Sequence, residues 1–350
     1  MNRGSTGANP PADSRFPHAP TLEEVALRAG VSRSTASRAV NGGLKVSPVA
    51  QAAVAAAVAE LGYTPNRAAR TLVTRRTDSI ALVVPEPDET VLNDPYFGGT
   101  LQGISAALEP TEIQLVLLIA RRGELAQRTT RYLRNRHVDG AVVVSHHSDD
   151  ALDEVLAASR LPCVFVGRPW SAREHMQYVD VDNAQGGRLA TEHLIDRGCK
   201  RIGTIAGPLD MTVGVDRLDG WRDALHAAGL SDAAVVRGDF TSAGGAAAAE
   251  RLLDAHPDID GIFAASDLMA AGALSVLARR GISVPGDIRM VGFDDLGVAT
   301  STSPPLTTVR NPVVEMSRAA TDLLLALLSG KEVPTEPPIF GVQLIVREST

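Results

Sequence analysis

The sequence lacks the features of several large protein classes. Its 350 residues include only two cysteines, Cys163 and Cys199, which lie far apart and outside any C-x-x-C or Cys/His pattern. This usage disfavours a disulfide scaffold or a zinc site and suits a reducing compartment. No run approaches the roughly 18 apolar residues of a membrane helix, and residues 1–20 have no apolar segment typical of secretion signals. We therefore expect a cytoplasmic protein with no membrane partner.

Enzyme signatures are absent as well. The sequence contains no GxxxxGK[ST] phosphate loop, no G-x-S-x-G elbow and no HExxH motif, and no GxGxxG follows the first predicted strand. His146 and His147 are adjacent, and adjacent residues do not share a face of a helix or strand. We therefore interpret this pair as a surface strand end and not as metal ligands. We expect no catalytic residue, no cofactor and no metal.

The net charge of −7 conceals a division along the chain. Residues 21–76 hold eight Lys and Arg against three acidic residues, a net charge of +5, and residues 1–20 carry +1. Residues 77–350 must therefore carry −13. A basic segment favours contact with nucleic acid, whereas the acidic remainder argues against a generic nucleic-acid binder.

The basic segment predicts three short helices. Thr21 and Glu24 form a T-x-x-E capping box before the first helix, which Gly30 ends. The second helix, SRSTASRAVN, begins at Ser32, and the third begins at Ser47-Pro48 and stops at Gly62. The tight turn between the first two helices is typical of a helix-turn-helix, whose second helix enters the DNA major groove.

Polar residues on the second helix predict a surface that reads DNA. Ser34, Arg38 and Asn41 form one stripe, while the apolar residues of the helix face inward. Arg33 and Ser34 are the best candidates for base contacts, because Arg can pair with guanine and a Ser hydroxyl accepts or donates. Further contacts to phosphates or base edges are expected from Thr35, Ser37 and Arg38. The alternative is an ordinary polar surface helix.

The linker YTPNRAARTLVTRRTDSI is also basic, and residues 66–72 predict a short helix. Small alanines allow close approach to a minor groove, and Leu72 could wedge between base steps in a symmetric pair. The alternative is a solvated linker with Leu72 packed against the body.

Beyond Ser79 the sequence alternates between apolar runs and helix-length stretches, as buried parallel strands require. Four runs occur in each half: 80–84, 113–119, 141–144 and 163–166, then 201–206, 234–240, 261–266 and 288–293. Helices are expected to start near Val215, Ser242, Asp267 and Asp295 in the second half. The fold prediction is an all-α helix-turn-helix head followed by an α/β two-lobed body with two doubly wound parallel sheets and a cleft between them.

Ligands of such sheets bind at the carboxyl ends of the strands, so polar and aromatic residues that follow each run are the candidates. They are Asp94, Tyr96, Phe97, Arg168, Arg217, Phe240, Ser266, Asp267 and Asp294. Carboxylates, an Arg fork and aromatic faces suit a polyhydroxylated sugar, whose hydroxyls both donate and accept. Asp267 could instead cap a helix, and Tyr96 and Phe97 could be packing residues. Trp221 is expected in the core.

Several long motifs together resemble the lactose-repressor/galactose-repressor (LacI/GalR) family over residues 21–349. TLEEVALRAGVSRSTASRAVNG and LGYTPNRAARTL are similar to its DNA-binding and hinge motifs. YVDVDN, HLIDRGCKRIGTIAGP, RLDGW, AASDLMAAGAL, VPGDIRMVGFDD and SPPLTTV are similar to its effector-binding body. HVDGAVVVSHHSDD resembles a subgroup of actinobacterial regulators that answer to cellobiose and other oligosaccharides.

The resemblance implies a homodimer on a palindromic double-stranded DNA operator, with a periplasmic-binding-protein-like body that binds an effector. The DNA-binding residues it implies, together with those from the helix pattern, are Thr21, Ser32, Arg33, Ser34, Thr35, Ser37, Arg38, Asn41, Asn66, Arg67, Ala69 and Leu72. It strengthens Arg217, Phe240 and Asp294 as effector contacts.

We expect four segments from these patterns: a flexible leader at 1–20, a helix-turn-helix domain at 21–65, a hinge at 66–78 and a body at 79–350. Within the body, the first lobe is expected at about 79–167 and 302–331, and the second at about 168–301 and 332–350. The predicted function is a repressor of carbohydrate-utilisation genes that a small sugar or cellobiose-like oligosaccharide releases from its operator. The alternatives are a regulator that needs a purine-type co-repressor and a sugar-binding protein with no DNA function.

Overall fold

The structure, a computed structural model, describes residues 20–41, 46–64, 76–120, 124–148, 156, 159, 161–170 and 176–350. The chain divides into two compact units, residues 1–77 and residues 78–350. No helix within the described ranges is long and apolar enough to cross a membrane.

The first unit contains the three helices that the sequence predicts: α1 (Leu22–Ala29), α2 (Arg33–Val40) and α3 (Pro48–Leu61). The capping box of Thr21 and Glu24 is confirmed, and α1 ends at Gly30, whose φ of +67° is left-handed. The hydroxyls of Ser32 and Ser47 cap α2 and α3. The helices pack around a small core whose fully or nearly fully buried members are Val25, Ala26, Ala36, Ala39, Val54, Ala57 and Tyr63.

The second unit contains two six-stranded sheets. The first sheet has the order β11-β5-β4-β3-β1-β2 and is parallel throughout. Its strands are β1 (Ser79–Val84), β2 (Gln114–Ile119), β3 (Gly140–Val144), β4 (Cys163–Val166), β5 (Gln177–Val181) and β11 (Ile339–Phe340). The helices that follow in this part of the chain are α4 (Asp88–Asn93), α5 (Pro95–Leu108) and α6 (Glu124–Arg134).

The second sheet has the order β12-β10-β9-β8-β6-β7 and is parallel except for β12, which runs antiparallel to β10. Its strands are β6 (Ile202–Ala206), β7 (Val235–Arg237), β8 (Gly261–Ala264), β9 (Arg289–Asp294), β10 (Thr307–Arg310) and β12 (Gln343–Ile345). The remaining helices are α7 (Asn183–Asp196), α8 (Thr212–Ala227), α9 (Ser242–Ala255), α10 (Asp267–Arg279), α11 (Val298–Ser301) and α12 (Val313–Leu328). Trp221 is fully buried beside this sheet, as predicted.

The predicted assignment of segments to lobes is wrong at three places. Residues 177–181 pair with β4 and belong to the first sheet, although the second lobe was expected from residue 168. Residues 307–310 pair with β9 and belong to the second sheet, although 302–331 was expected in the first lobe. Residues 339–340 pair with β5 and belong to the first sheet, although 332–350 was expected in the second lobe. The reason is that each sheet continues for one more strand before the chain leaves it, so the connections follow β5, β10 and β11 and do not precede them.

These connections place three crossings between the lobes, after β5, after β10 and between β11 and β12. Parallel strands of both sheets present their carboxyl ends to the space between the lobes, where ligands of such folds bind. Two helices begin at other residues than expected. α8 begins earlier in the chain, at Thr212 and not near Val215, and α11 begins later, at Val298 and not near Asp295.

Candidate functional site

The exposed face of α2 carries the residues predicted to read DNA. Ser32, Arg33, Ser34, Arg38 and Asn41 are exposed, and Thr35 and Ser37 are half-buried. Their hydrogen bonds run within α2 or to the neighbouring α1. The Arg33 Nε donates to Glu23 of α1, the Arg38 Nε donates to the Ser34 carbonyl at 3.2 Å, and the Asn41 Nδ2 donates to the Ser37 carbonyl at 2.8 Å. These contacts hold the side chains on one face without burying them.

Two of the predicted DNA-binding residues have structural roles of their own. The Thr21 and Ser32 hydroxyls accept hydrogen bonds from the backbone N–H groups of Glu24 and Thr35. Such caps orient helix N-termini, which can then meet a phosphate. The hinge candidates Asn66, Arg67, Ala69 and Leu72 lie outside the described residues.

A cavity of about 330 Å³ lies between the two lobes. Its volume is in the range of small-molecule sites. Seven of the nine residues predicted for the effector line it: Asp94, Tyr96, Phe97, Arg217, Phe240, Ser266 and Asp294. They come from both lobes, so a molecule in the cavity would contact both.

Arg217 on α8 is the cation in the depth of this cavity. Its side chain is 4% exposed, Nε donates to Asn183 Oδ1 at 3.0 Å, and Nη1 donates to the Ala265 carbonyl at 2.6 Å. Nη2 lies 3.5 Å from Asp294 Oδ1, and the guanidinium carbon lies 3.5 Å from the centre of the Phe293 ring. Three polar contacts and one cation–π contact therefore hold the Arg217 guanidinium in one orientation.

The position of Arg217 depends on close contact between α7 and α8. A Cβ added to Gly187 would lie 2.2 Å from the Arg217 carbonyl oxygen, so only glycine fits there. This contact sets where the helix, and hence the guanidinium, stands relative to the strand ends.

Asp294 ends β9 with a φ of +120°, a conformation that L residues rarely adopt. Burial raises its pKa, while Arg217 and Asn311 favour the ionised form. Asn311 Nδ2 donates to Asp294 Oδ1 at 3.3 Å, and the Asn311 Oδ1 has no hydrogen-bond partner although the residue is buried and lines the cavity. A hydroxyl of a bound molecule would satisfy that acceptor.

Asp94 begins α5 and accepts a hydrogen bond from the Tyr96 N–H at 2.9 Å. Burial is the main reason that its pKa rises to about 6. The Tyr96 and Phe97 rings meet edge to face with centroids 5.4 Å apart, and Phe97 is a core residue as well as a lining residue. Both roles weighed from the sequence therefore apply to Phe97.

Phe240 follows β7 in the left-handed region at φ +64°. A Cβ added to Gly207 would lie 2.4 Å from Phe240 Cζ, so the missing side chain allows the ring to lie against the backbone after β6. Its centre is 5.9 Å from the Arg217 guanidinium carbon. The ring presents an apolar wall beside the charged groups.

Two predicted effector residues do not line the cavity. The Arg168 guanidinium is bound to Asp216 at 2.7 and 2.8 Å, because α8 brings that carboxylate within reach. Asp267 is buried and accepts from the Thr308 hydroxyl at 2.6 Å and from the Asp295 N–H at 2.8 Å. The cap of α10 is Ser266, whose Oγ accepts from Met269 N–H, so Asp267 ties strands together and is not itself the cap.

Several lining residues were not predicted from the sequence, including Glu86, His147, Asp180, Asn183 and Asn311. Glu86 and His147 follow β1 and β3, which were predicted, so the rule of strand ends would have found them. Asn311 follows β10, which was not predicted. The interpretation of His146 and His147 as a surface strand end is wrong. His146 is 5% exposed, and the His147 side chain is 11% exposed.

Both ring nitrogens of His147 face carboxylates: Nε2 lies 3.0 Å from Glu86 Oε1 and Nδ1 lies 2.8 Å from Asp210 Oδ2. Burial opposes the charged ring, but the hydrogen bonds and charges of the two carboxylates outweigh it and raise the pKa of His147 to about 9. Among the described residues, no group of His, Cys, Asp and Glu side chains is arranged to hold a metal ion.

Sequence models of two families match the chain. Residues 21–66 match the model of bacterial regulatory proteins of the lacI family, and residues 191–350 match that of a periplasmic binding protein-like domain. The chain is 47% identical over 333 residues to the HTH-type transcriptional regulator CelR of Thermobifida fusca, which covers 94% of this chain and 98% of that protein. The chain belongs to the LacI family. This LacI-family protein is therefore a DNA-binding transcriptional regulator and not an enzyme.

Two solved structures resemble the regulator over most of its length. A complex of the transcriptional regulator CelR with cellobiose is similar with a TM-score of 0.76 and 44% identity, covering 95% of this chain and 100% of that one. The lac repressor dimer bound to operator and the anti-inducer ONPF is similar with a TM-score of 0.82 and 28% identity, covering 95% and 99%. The predicted fold class is confirmed.

Proposed function

We propose that this regulator is a cytoplasmic homodimeric repressor of carbohydrate-utilisation genes, and that a neutral, cellobiose-like disaccharide releases it from a palindromic operator. The observation that carries the proposal is the cavity between the lobes, which combines hydrogen-bond acceptors, the buried guanidinium of Arg217 as a donor, and aromatic side chains. The resemblance to a CelR–cellobiose complex supports the ligand class.

The charges of the cavity favour a neutral ligand. Five carboxylates line it, from Glu86, Asp94, Asp180, Asp239 and Asp294, against the cations Arg217 and His147. A phosphorylated sugar would add negative charge to a wall that already carries an excess of carboxylates. Sugar hydroxyls, in contrast, can donate to the carboxylates and accept from the Arg217 fork.

We assign four roles in effector binding. Arg217 donates to a ring or hydroxyl oxygen, Asp94 and Asp294 accept from hydroxyls, and the Phe240 ring lies against the apolar face of a sugar. Tyr96, Phe97 and Ser266 complete the wall, and Asn311 supplies an additional acceptor. Arg168 pairs with Asp216 of the facing lobe and Asp267 ties strands of the second sheet together, so we assign neither residue a ligand contact.

We assign operator contact to the exposed face of α2, with Arg33 and Ser34 at base edges and Thr35, Ser37, Arg38 and Asn41 at phosphates or further edges. The hinge of residues 66–78, with Leu72, would contact the central minor groove. The effector must bind two states of the dimer unequally, since a ligand with equal affinity for both changes neither population.

Isothermal titration calorimetry of the full-length protein tests the ligand class. We expect cellobiose to bind with measurable heat and glucose more weakly, because one ring leaves part of the cavity unfilled. Binding of guanine or hypoxanthine together with tighter operator binding would favour the co-repressor alternative. Failure of all neutral sugars to bind would contradict the proposal.

A further inference from the structure

A cluster of cross-lobe contacts stands at one edge of the cavity. His147 follows β3 in the first lobe, and Asp210 lies in the second lobe between β6 and α8. Their side chains are joined at 2.8 Å, and Glu86 of the first lobe holds the other ring nitrogen at 3.0 Å. The imidazole is thus bound between a carboxylate of its own lobe and one of the facing lobe.

Neighbouring contacts converge on the same segment of the second lobe. The Asp210 carbonyl accepts from the Ser148 N–H at 2.8 Å and from the Trp170 indole N–H at 2.6 Å. The Thr212 hydroxyl donates to the Arg168 carbonyl at 2.6 Å, and Arg168 pairs with Asp216. Each of these bonds joins a residue that follows a strand of the first lobe to a residue within 210–216 of the second lobe. All of them would break if the lobes separated at this edge.

The His147 contact borders the ligand cavity, as does Thr212. Glu86 and His147 line the cavity, whereas Arg168 and Trp170 do not. The His147 and Glu86 side chains are 11% and 16% exposed, so water screens their interaction less than it screens an ion pair on the surface. Replacement of the cation would leave Glu86 and Asp210 facing each other across a partly buried gap.

We propose that His147 is a positioning residue that holds the two lobes closed by bridging Glu86 and Asp210, and thereby sets the affinity for the effector. The second part rests on the proposed function, because it assumes a ligand in the cavity. A protein whose binding-competent state is only partly populated binds with an apparent affinity reduced by that fraction. Loss of the bridge lowers the closed fraction and therefore the affinity.

The test uses Trp170 as a reporter of this edge. Its indole N–H is bound to Asp210 across the lobes and its side chain is 41% exposed, whereas Trp221, the other tryptophan, is fully buried. Acrylamide quenching therefore reports mainly on Trp170 and needs no ligand. The variants are His147→Gln, Asp210→Asn and the double variant, each in the full-length protein. Asp210→Asn keeps the backbone carbonyl that Ser148 and Trp170 use.

The matched control is His226→Gln, which removes another His–carboxylate pair, to Asp232 at 3.2 Å, within one lobe. We expect quenching to rise in His147→Gln and Asp210→Asn, to rise no further in the double variant, and to stay unchanged in His226→Gln. Non-additivity in the double variant shows that the two residues act on each other. Affinity for cellobiose should fall about tenfold, the factor that one charge-assisted hydrogen bond typically provides.

Unchanged quenching in His147→Gln overturns the proposal, even if cellobiose affinity falls, since the residue would then act as a direct ligand contact. Additive effects of the two substitutions overturn it as well. If wild-type protein does not bind cellobiose but the quenching pattern holds, the bridge is supported and the assigned ligand is refuted. The two claims therefore fail separately.

Discussion

Replacement of Arg217 separates sugar response from operator binding. Arg217→Ala removes a buried cation, so Asp294 loses its ion pair, and the Asn183 Oδ1 and the Ala265 carbonyl lose the donor that Arg217 provides. Breaking a buried ion pair from one side costs about 3–5 kcal/mol. Arg217→Lys keeps the charge beside Asp294, but a single ammonium cannot make all the hydrogen bonds of the guanidinium. We therefore expect a smaller loss in the free energy of unfolding, about 1–3 kcal/mol.

Both variants should bind operator with nearly wild-type affinity while folded, because Arg217 belongs to the body and not to the head. Effector affinity should fall about 10- to 100-fold, the range of one lost charge-assisted hydrogen bond. Thermal unfolding gives the stability, and fluorescence anisotropy of a labelled operator duplex titrated with cellobiose gives the response. Arg222→Ala on the same helix is the control, since its pairs with Asp219 and Asp232 are exposed and worth about 0–1 kcal/mol.

A folded Arg217→Lys protein that cellobiose releases from operator at the wild-type concentration would refute the role assigned to this residue. Loss of operator binding by a variant that melts like wild type would also refute it, because the defect would then lie outside the cavity.

Three further predictions follow from contacts in each part of the molecule. Arg33→Ala should weaken specific operator binding by about 1–3 kcal/mol while changing stability little. Arg28→Ala is the control, since it breaks an exposed pair with Glu60 on another helix and should leave operator binding unchanged. Gel shifts with specific and scrambled duplexes measure both effects. The pKa of His147 in the folded protein is raised from 6.5 to about 9, so the stabilisation by its charged ring is complete below about pH 6.5 and is lost as pH rises through about 9. The difference in melting temperature between wild type and His147→Gln should therefore shrink over that pH range. A difference that stays constant would contradict this prediction. Gly187→Ala places a Cβ 2.2 Å from the Arg217 carbonyl oxygen and should lower the free energy of unfolding by about 1–3 kcal/mol, measured by thermal unfolding. Gly98→Ala is the control, because a Cβ at Gly98 meets open space and should not destabilise the protein.

The sequence predicted the head in detail because its signals are local. Caps, a left-handed glycine and the alternation of buried and exposed residues over one or two turns decide where α1, α2 and α3 begin and end. None of these depends on distant parts of the chain. Contacts such as Arg33 with Glu23 join neighbouring helices and could not be read from spacing alone.

Eight of the twelve strands in the described residues were predicted as apolar runs, whereas β5, β10, β11 and β12 were not among the predicted runs. Residues 177–181 and 307–310 lie in short strands whose sheet is decided by pairing with β4 and β9, which sequence spacing does not reveal. Asn311 was missed for the same reason, because it follows β10, which was not predicted. The rule of strand ends brought seven of nine candidates to the cavity, while Arg168 and Asp267 failed because local partners satisfy them.

His147 shows why a motif search misses a site of this kind. Its partners Glu86 and Asp210 lie 61 and 63 residues away along the chain and come together only through the two sheets. Adjacent histidines excluded metal geometry on one face, but they did not exclude a role for one imidazole between two carboxylates.

Operator release by cellobiose tests the central claim most directly. Full-length protein is bound to a labelled duplex from its own promoter region, and anisotropy is followed while cellobiose is added. We expect anisotropy to fall to the value of free DNA and the midpoint to move to higher sugar concentration in Arg217→Lys. Anisotropy that stays constant or rises with cellobiose would contradict the claim that a sugar in the cleft lowers affinity for the operator.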